Sequence, residues 1–282
     1  MASEYAIAAK VQDVEFVRLF NEQFAALRQL LNVVTPAKMA AGSTLKVYKS
    51  SGTLNTTQVN PCAEITVSAY GTTATPYPLT TMKFRKQTAI EDILSMGYEP
   101  AAANTDRALI SDIEKNVRAS LILGLATLGT GTAAGDNFQK CAANAWGELN
   151  VVMDGEGATP VFFCSPLDAA DYLGSASVTM QTAFGLSYIE NFLGLGTLVV
   201  DANVPQGKVL ATAQENILFA YADMATAQGF EFYGDAEGII GVSHDANITH
   251  AALETVAICG IAAVPAFLDR VIVGTIGSGA SS

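Results

Sequence analysis

The chain has 282 residues and a mass of 29.4 kDa; half of its residues are apolar, only 15% are charged, and its mean hydropathy is +0.30. A folded chain of this length buries about 75% of the surface its extended form exposes, so global disorder is excluded and the apolar surplus points to burial between subunits. The 15 basic and 27 acidic residues give a net charge of -12, which excludes non-specific nucleic-acid binding by a monomer, because that affinity comes from basic side chains displacing counterions.

Met1 to Phe16 carries Glu4, Asp13 and Glu15 and no apolar stretch, so no secretory signal is expected and the chain reads as cytosolic and soluble. Phe16, Phe20, Phe24, Leu27 and Leu31 recur at helical spacing, which predicts a helix with one apolar face, ended by Thr35-Pro36. The preceding segment is too short to make a surface that these aromatics could cover. From Ala40 to about Arg85 the composition turns to Thr, Ser, Gly and Pro, with alternating pieces at Leu45 to Tyr48 and Ile65 to Tyr70. These predict a long two-stranded arm with little core of its own, stabilised against another subunit.

Asn104-Thr105-Asp106 offers an N-cap and a first-turn acid, and Leu109, Ile113, Val117, Leu121 and Leu125 follow at four-residue steps. The spacing predicts a helix from about Thr105 to Leu128, stopped at Gly129-Thr130-Gly131. Phe138 to Met153 predicts a second helix, and Val161 to Cys164 a buried strand. Ser165-Pro166-Leu167-Asp168 has the pattern of a capping box, and Thr197 to Val200, Lys208 to Thr212 and Ile217 to Ala222 predict further strands. From Phe230 onward strands return at Ile239 to Val242, Thr249 to Val264 and Leu268 to Ile276, and the tail from Gly277 is expected to fray. The longest apolar run, Val256 to Leu268, is broken by Pro265 and is shorter than the roughly 20 residues of a membrane span.

Little in the sequence carries catalytic chemistry. Cys62, Cys141, Cys164 and Cys259 are far apart and without His at metal spacing, which predicts buried free thiols, no metal and no disulfide framework. His244 and His250 are the only histidines and read as a strand-edge pair in a polar loop. Gly129-Thr130-Gly131 follows a helix, and Gly207-Lys208 lacks both the earlier Gly and the following Ser or Thr, so no nucleotide site is supported and no cofactor is expected. Acid pairs such as Glu91-Asp92 are expected by chance among 27 acids. Charge is segregated: residues 1–140 hold 13 basic and 12 acidic residues, whereas 141–282 hold 2 and 15. Lys83, Arg85 and Lys86 form the one basic cluster, which suits contact with the acidic half of another copy.

This order of parts, carried by Met82 to Ile93 leading into the Thr105 to Leu128 helix, Val161 to Leu173, Leu198 to Lys208, Ile217 to Asp223 and Phe267 to Val273, resembles the major capsid proteins of tailed bacteriophages. The resemblance implies an α+β, HK97-like capsid fold. It would have an N-terminal arm at 1–40, an E-loop at 41–88, a peripheral domain with a long spine helix at 89–135 and 230–282, and an axial domain at 136–229. It also implies a non-enzymatic subunit of an icosahedral virion shell, assembled in a bacterial cytoplasm from hexamers and pentamers around double-stranded DNA held without sequence-specific binding. Portal and separate scaffolding or decoration proteins would be its other partners. Loops such as Thr182 to Gly196 would lie near the axis, and Phe16, Phe20, Lys49, Lys83, Arg85, Lys86 and Tyr188 are the candidate inter-subunit contacts. Some relatives carry a scaffolding segment ahead of the arm, which is not seen here, and some form Lys-to-Asn crosslinks. For Lys46, Lys49 or Lys83 with Asn247 nothing in the sequence selects such a bond. Two alternatives remain: an encapsulin-type nanocompartment shell, favoured by a cargo-peptide pocket lined by an N-terminal helix, and a soluble α+β enzyme using His244 or His250.

Overall fold

In a computed structural model, residues 2–31, 36–60, 62–154, 156–174, 180–183, 186–224, 232–234 and 236–277 are described. The first helix, α1 (Ala2–Leu30), begins well ahead of Phe16, and its stripe of Phe16, Val17, Phe20, Phe24 and Leu27 is 1% exposed or less. A short strand, β1 (Ala37–Met39), precedes β2 (Thr44–Thr53) and β3 (Ala69–Pro78), which pair antiparallel from Thr44 opposite Pro78 to Thr53 opposite Ala69. At about 3.4 Å per residue this hairpin is about 34 Å long. It joins no other strand among the described residues, and Tyr77 alone of its two strands is buried.

The chain leaves the hairpin at Pro78 and forms β4 (Met82–Ala89) and α2 (Ile90–Met96). Gly97, at φ +90, turns it into α3 (Tyr98–Leu128), which is about 46 Å long at 1.5 Å rise. This helix starts ahead of the expected Thr105 because Pro100 lies in its first turn, where a missing N–H breaks no helical bond. Asn104-Thr105-Asp106 is therefore helix interior and no cap. Thr105 Oγ1 donates to the carbonyls of Ala101 and Ala102, at 3.1 and 3.0 Å, and Asp106 turns into the core.

Beyond β5 (Gly131–Gly135) comes α4 (Phe138–Met153), where spacing placed it; Asn137 caps it by accepting from the Lys140 N–H at 2.8 Å. The fully buried β6 (Pro160–Cys164) leads into α5 (Pro166–Leu173), with Ser165 as N-cap. The expected capping box does not close, because Asp168 instead accepts the N–H of Gly207 at 2.9 Å. Then follow β7 (Gln181–Ala183), β8 (Leu186–Phe192), β9 (Gly196–Val200), β10 (Lys208–Ala213), β11 (Ile217–Ala222), β12 (Ile240–Asn247), β13 (Ala252–Cys259), β14 (Ile261–Pro265) and β15 (Val271–Ile276).

The long strand expected over Thr249 to Val264 is split at Gly260, where the chain crosses from one sheet to another and the Gly260 carbonyl accepts the Ala222 N–H at 2.7 Å. A Cβ at Gly260 would meet that of Ala222 at 2.9 Å, so a larger residue would push the sheets apart. Seven strands form the largest sheet, in the order β5-β15-β10-β6-β9-β8-β7; two three-stranded sheets are β12-β13-β4 and β1-β11-β14. The closing strand β15 belongs to the seven-stranded sheet, between β5 and β10, and β4 lies outside the hairpin because it pairs with β13 from Met82 opposite Cys259 to Ala89 opposite Ala252.

The core falls into two large clusters. One joins the α1 aromatics to Ile110, Ile113 and Val117 of α3 and to Phe219, Ile240 and Val242; the other packs α4 on Phe162, Leu198 and Ile272. Phe20 stacks on Phe24 at 6.2 Å between centroids, and Phe24 meets Phe219 edge-on at 5.8 Å. The surface these aromatics require is therefore supplied within the chain, from segments far downstream. Phe16 and Phe20, 0% and 1% exposed, are core and have no surface left for a neighbouring subunit.

Candidate assembly surfaces

The β2–β3 hairpin carries its apolar side chains into solvent: Tyr48 is 62% exposed, Leu54 64%, Ile65 77% and Val67 85%. Among the described residues two side-chain contacts tie it to the body: at its base the Tyr77 hydroxyl donates to the Pro265 carbonyl at 2.9 Å, and farther along β2 Lys49 pairs with Asp269 at 2.6 Å. A two-stranded ribbon with so little buried surface is marginal in water by itself. A second apolar surface lies at the far end of the β12–β13 pair, where Ile248 and Leu94 are exposed beside a cavity of about 370 Å³ lined by Ile90, Ile93, Tyr98 and Leu253.

The basic cluster divides by strand alternation. Lys83, Arg85 and Gln87 point outward from β4, whereas Met82, Phe84, Lys86 and Thr88 turn toward the core. Lys83 stays exposed. Arg85 pairs with Glu254, which also accepts from Gln87 and from Asn247 at 2.6 Å each; these donors, Arg85 first, pull its carboxyl down to about 2. Lys86 is unavailable to an acidic neighbour because Asp106 takes it at 2.8 Å inside the chain. Lys49, too, is held by its own chain's Asp269. Tyr188 donates to Gln181 at 2.8 Å and, with Ala26, Gln29 and Leu30 of α1, lines a cavity of about 430 Å³. Of the expected 182–196 loop, 184–185 lie outside the described residues; the rest is mainly the β8 strand and the turn into β9.

His244 is not at a strand edge. Its side chain is 0% exposed, with Nδ1 at 2.7 Å from Asp13 of α1 and Nε2 at 3.0 Å from Asp106 of α3. Gln12 also donates to Asp106 at 2.9 Å. Burial works against the imidazolium, yet Asp106 and Asp13 outweigh it and raise its pKa; burial works against the Asp106 carboxylate as well, and His244 and Lys86 hold it below its usual range. Burial lowers the Lys86 ammonium despite Asp106. His250 lies in the turn after β12, its N–H bonded to Asn247 Oδ1 at 3.2 Å. The two histidines are thus not brought together, and the buried one has both ring nitrogens engaged. Among the described residues no group of His, Cys, Asp and Glu could hold a metal, and no helix is long and apolar enough to cross a membrane.

No family model matches the sequence, and no curated protein does. Solved structures do resemble the fold. The capsid of the empty GTA particle matches with a TM-score of 0.60 at 10% identity, over 90% of this chain and 90% of that one. The holo-SrpI encapsulin complex from Synechococcus elongatus matches at 0.56 and 16%, over 89% and 88%, and the cyanophage A-1(L) capsid at 0.56 and 11%, over 90% and 93%. The chain therefore has the HK97-like fold of these shell proteins, and at such identities the likeness establishes the fold alone.

Proposed function

We propose that this chain is a non-enzymatic shell subunit that assembles with copies of itself into a closed icosahedral particle, and that the particle is the head of a tailed phage holding double-stranded DNA. The observation that carries the reading is the β2–β3 hairpin, about 34 Å of paired strand with no buried residue beyond its base. Such an arm gains its stabilisation from a neighbour. In this reading the three-stranded β12-β13-β4 sheet with α3 is the peripheral domain, the seven-stranded sheet is the axial domain, and Lys83, Tyr188 and the hairpin face other copies. The acidic half of the chain supports a DNA container, because packaged DNA does not adhere to a wall of like charge. Portal, scaffolding and decoration proteins would complete the assembly.

A second reading, a protein-filled nanocompartment, is favoured by one feature: the cavity between the end of α1 and Tyr188, Glu190 and Thr197, a place where a cargo peptide would fit. The contents of purified particles decide between them. Nuclease-protected double-stranded DNA in particles from the native host supports the phage head; a stoichiometric protein cargo without DNA overturns it in favour of the nanocompartment.

A further inference from the structure

Three elements bring charged groups to the site of His244 on β12. From α1 come Asp13, whose Oδ1 also accepts the His244 backbone N–H at 3.0 Å, and Gln12; from α3 comes Asp106; from β4 comes Lys86, bonded to Asp106. On β13 the residue opposite is Thr255, uncharged and buried, and Phe16 of α1 places its ring edge-on to the imidazole at 6.2 Å. Glu15, the next acid on α1, is half-exposed and serves Arg18, with Arg107 of α3 nearby. A neutral imidazole has one N–H and one lone pair. Both ring nitrogens here face carboxylate oxygens, at 2.7 and 3.0 Å, so only the doubly protonated ring satisfies both. With the proton lost, a lone pair faces a carboxylate in a site closed to water.

The cluster also sits at a mechanical boundary. From Phe16 onward α1 is held by its aromatic stripe, whereas among the described side chains ahead of Phe16 only Ala9, Gln12 and Asp13 are buried, and Val11 and Val14 are 60% and 45% exposed. Among the described side chains of its first half the buried ones other than Ala9 are therefore polar, whereas those of the second half are apolar. We infer that the Asp13–His244–Asp106 cluster is a proton-controlled latch that docks α1 up to Glu15 on the body, and that losing the imidazolium proton releases this half of the helix while Phe16 to Leu30 stay packed. The sign follows from the geometry. The docked form binds the proton more tightly than the released one, so docking is complete below the ordinary histidine range near pH 6.5 and weakens up to tenfold per pH unit until the docked histidine has titrated.

Hydrogen exchange of the full-length protein, read by mass spectrometry and corrected for the intrinsic pH dependence of exchange, tests this. Between about pH 5.5 and about pH 9, protection of amides 8–15 falls by about tenfold or more relative to amides 110–125 of α3. In His244→Gln, whose amide nitrogen can stand in for one ring N–H while its oxygen cannot donate in place of the other, these amides are weakly protected at both values and their pH dependence is lost. Wild-type protection that keeps its ratio to α3 within about twofold overturns the latch, as does a folded His244→Gln with the wild-type pH dependence. Should that variant not fold, Asp13→Asn, which removes the carboxylate from the helix side, must likewise abolish the pH dependence.

Discussion

Excising the hairpin separates the stability of the subunit from its capacity to assemble. Leu45 and Tyr77 are opposite each other in the ladder, so residues 46–76 can be replaced by a two-residue Asn-Gly turn with the base left in place. No described residue within 46–76 is buried, and among the described residues the one ion pair lost to the body is Lys49–Asp269, whose side chains are 44% and 43% exposed. An exposed pair contributes about 0–1 kcal/mol, and Leu45, Tyr77 and Leu79 keep their packing. The subunit should therefore lose less than about 1 kcal/mol, a shift of about 2–4 °C at most in Tm for a chain of this size. Scanning calorimetry checks that figure, and electron microscopy of the same preparation should find no closed particles. Normal shells from the excised chain would refute the role given to the hairpin; a collapse in Tm of ten degrees or so would refute the claim that it lacks intrachain support.

Three further outcomes follow from burial. Cys62 is exposed, whereas burial pushes Cys141 up to about 11 and Cys164 and Cys259 to about 12; a thiol reagent at about pH 8 should modify one cysteine in the native chain and four after denaturation, as counted by intact mass. Phe20→Ala should cost about 3–5 kcal/mol in chemical denaturation; a loss below about 1 kcal/mol would return Phe20 to the surface. Glu114 of α3 is 7% exposed with a carboxyl oxygen lacking a hydrogen-bond partner, and burial raises its pKa although Arg118 and Lys115 oppose this. The penalty on its charged form is absent below the ordinary Glu range and sets in as pH rises through the raised value. Glu114→Gln should therefore add about 1 kcal/mol at neutral pH, an advantage that shrinks in acid; equal stability at both pH values would contradict the assignment.

What was legible in the sequence was local. The four-residue spacing of Leu109 to Leu125, the bounds of α4, the buried β6 and the Ser165 cap all depend on neighbours within a turn or two, and the structure keeps them. The poverty of core in the hairpin was equally readable, from its Thr, Ser and Gly content. Pairings over long separations were not. The surface under Phe16 to Leu27 comes from α3, β11 and β12, and the Asp13–His244 contact spans 231 positions, so no window on the chain contains both partners. One signal was available: in β4 the alternation Met82, Phe84, Lys86, Thr88 against Lys83, Arg85, Gln87 puts Lys86 on the apolar side, where a lysine needs a buried acid. His250 and His244 read alike as sequence, and only the packing of α1 over β12 separates an exposed turn residue from the centre of a charged cluster.

Self-assembly is the central claim, and the mass of the purified protein tests it most directly. Light scattering, with electron microscopy of each eluting species, should find megadalton shells, or rings of five and six copies at lower concentration. A single stable species of 29.4 kDa at every concentration would contradict the account.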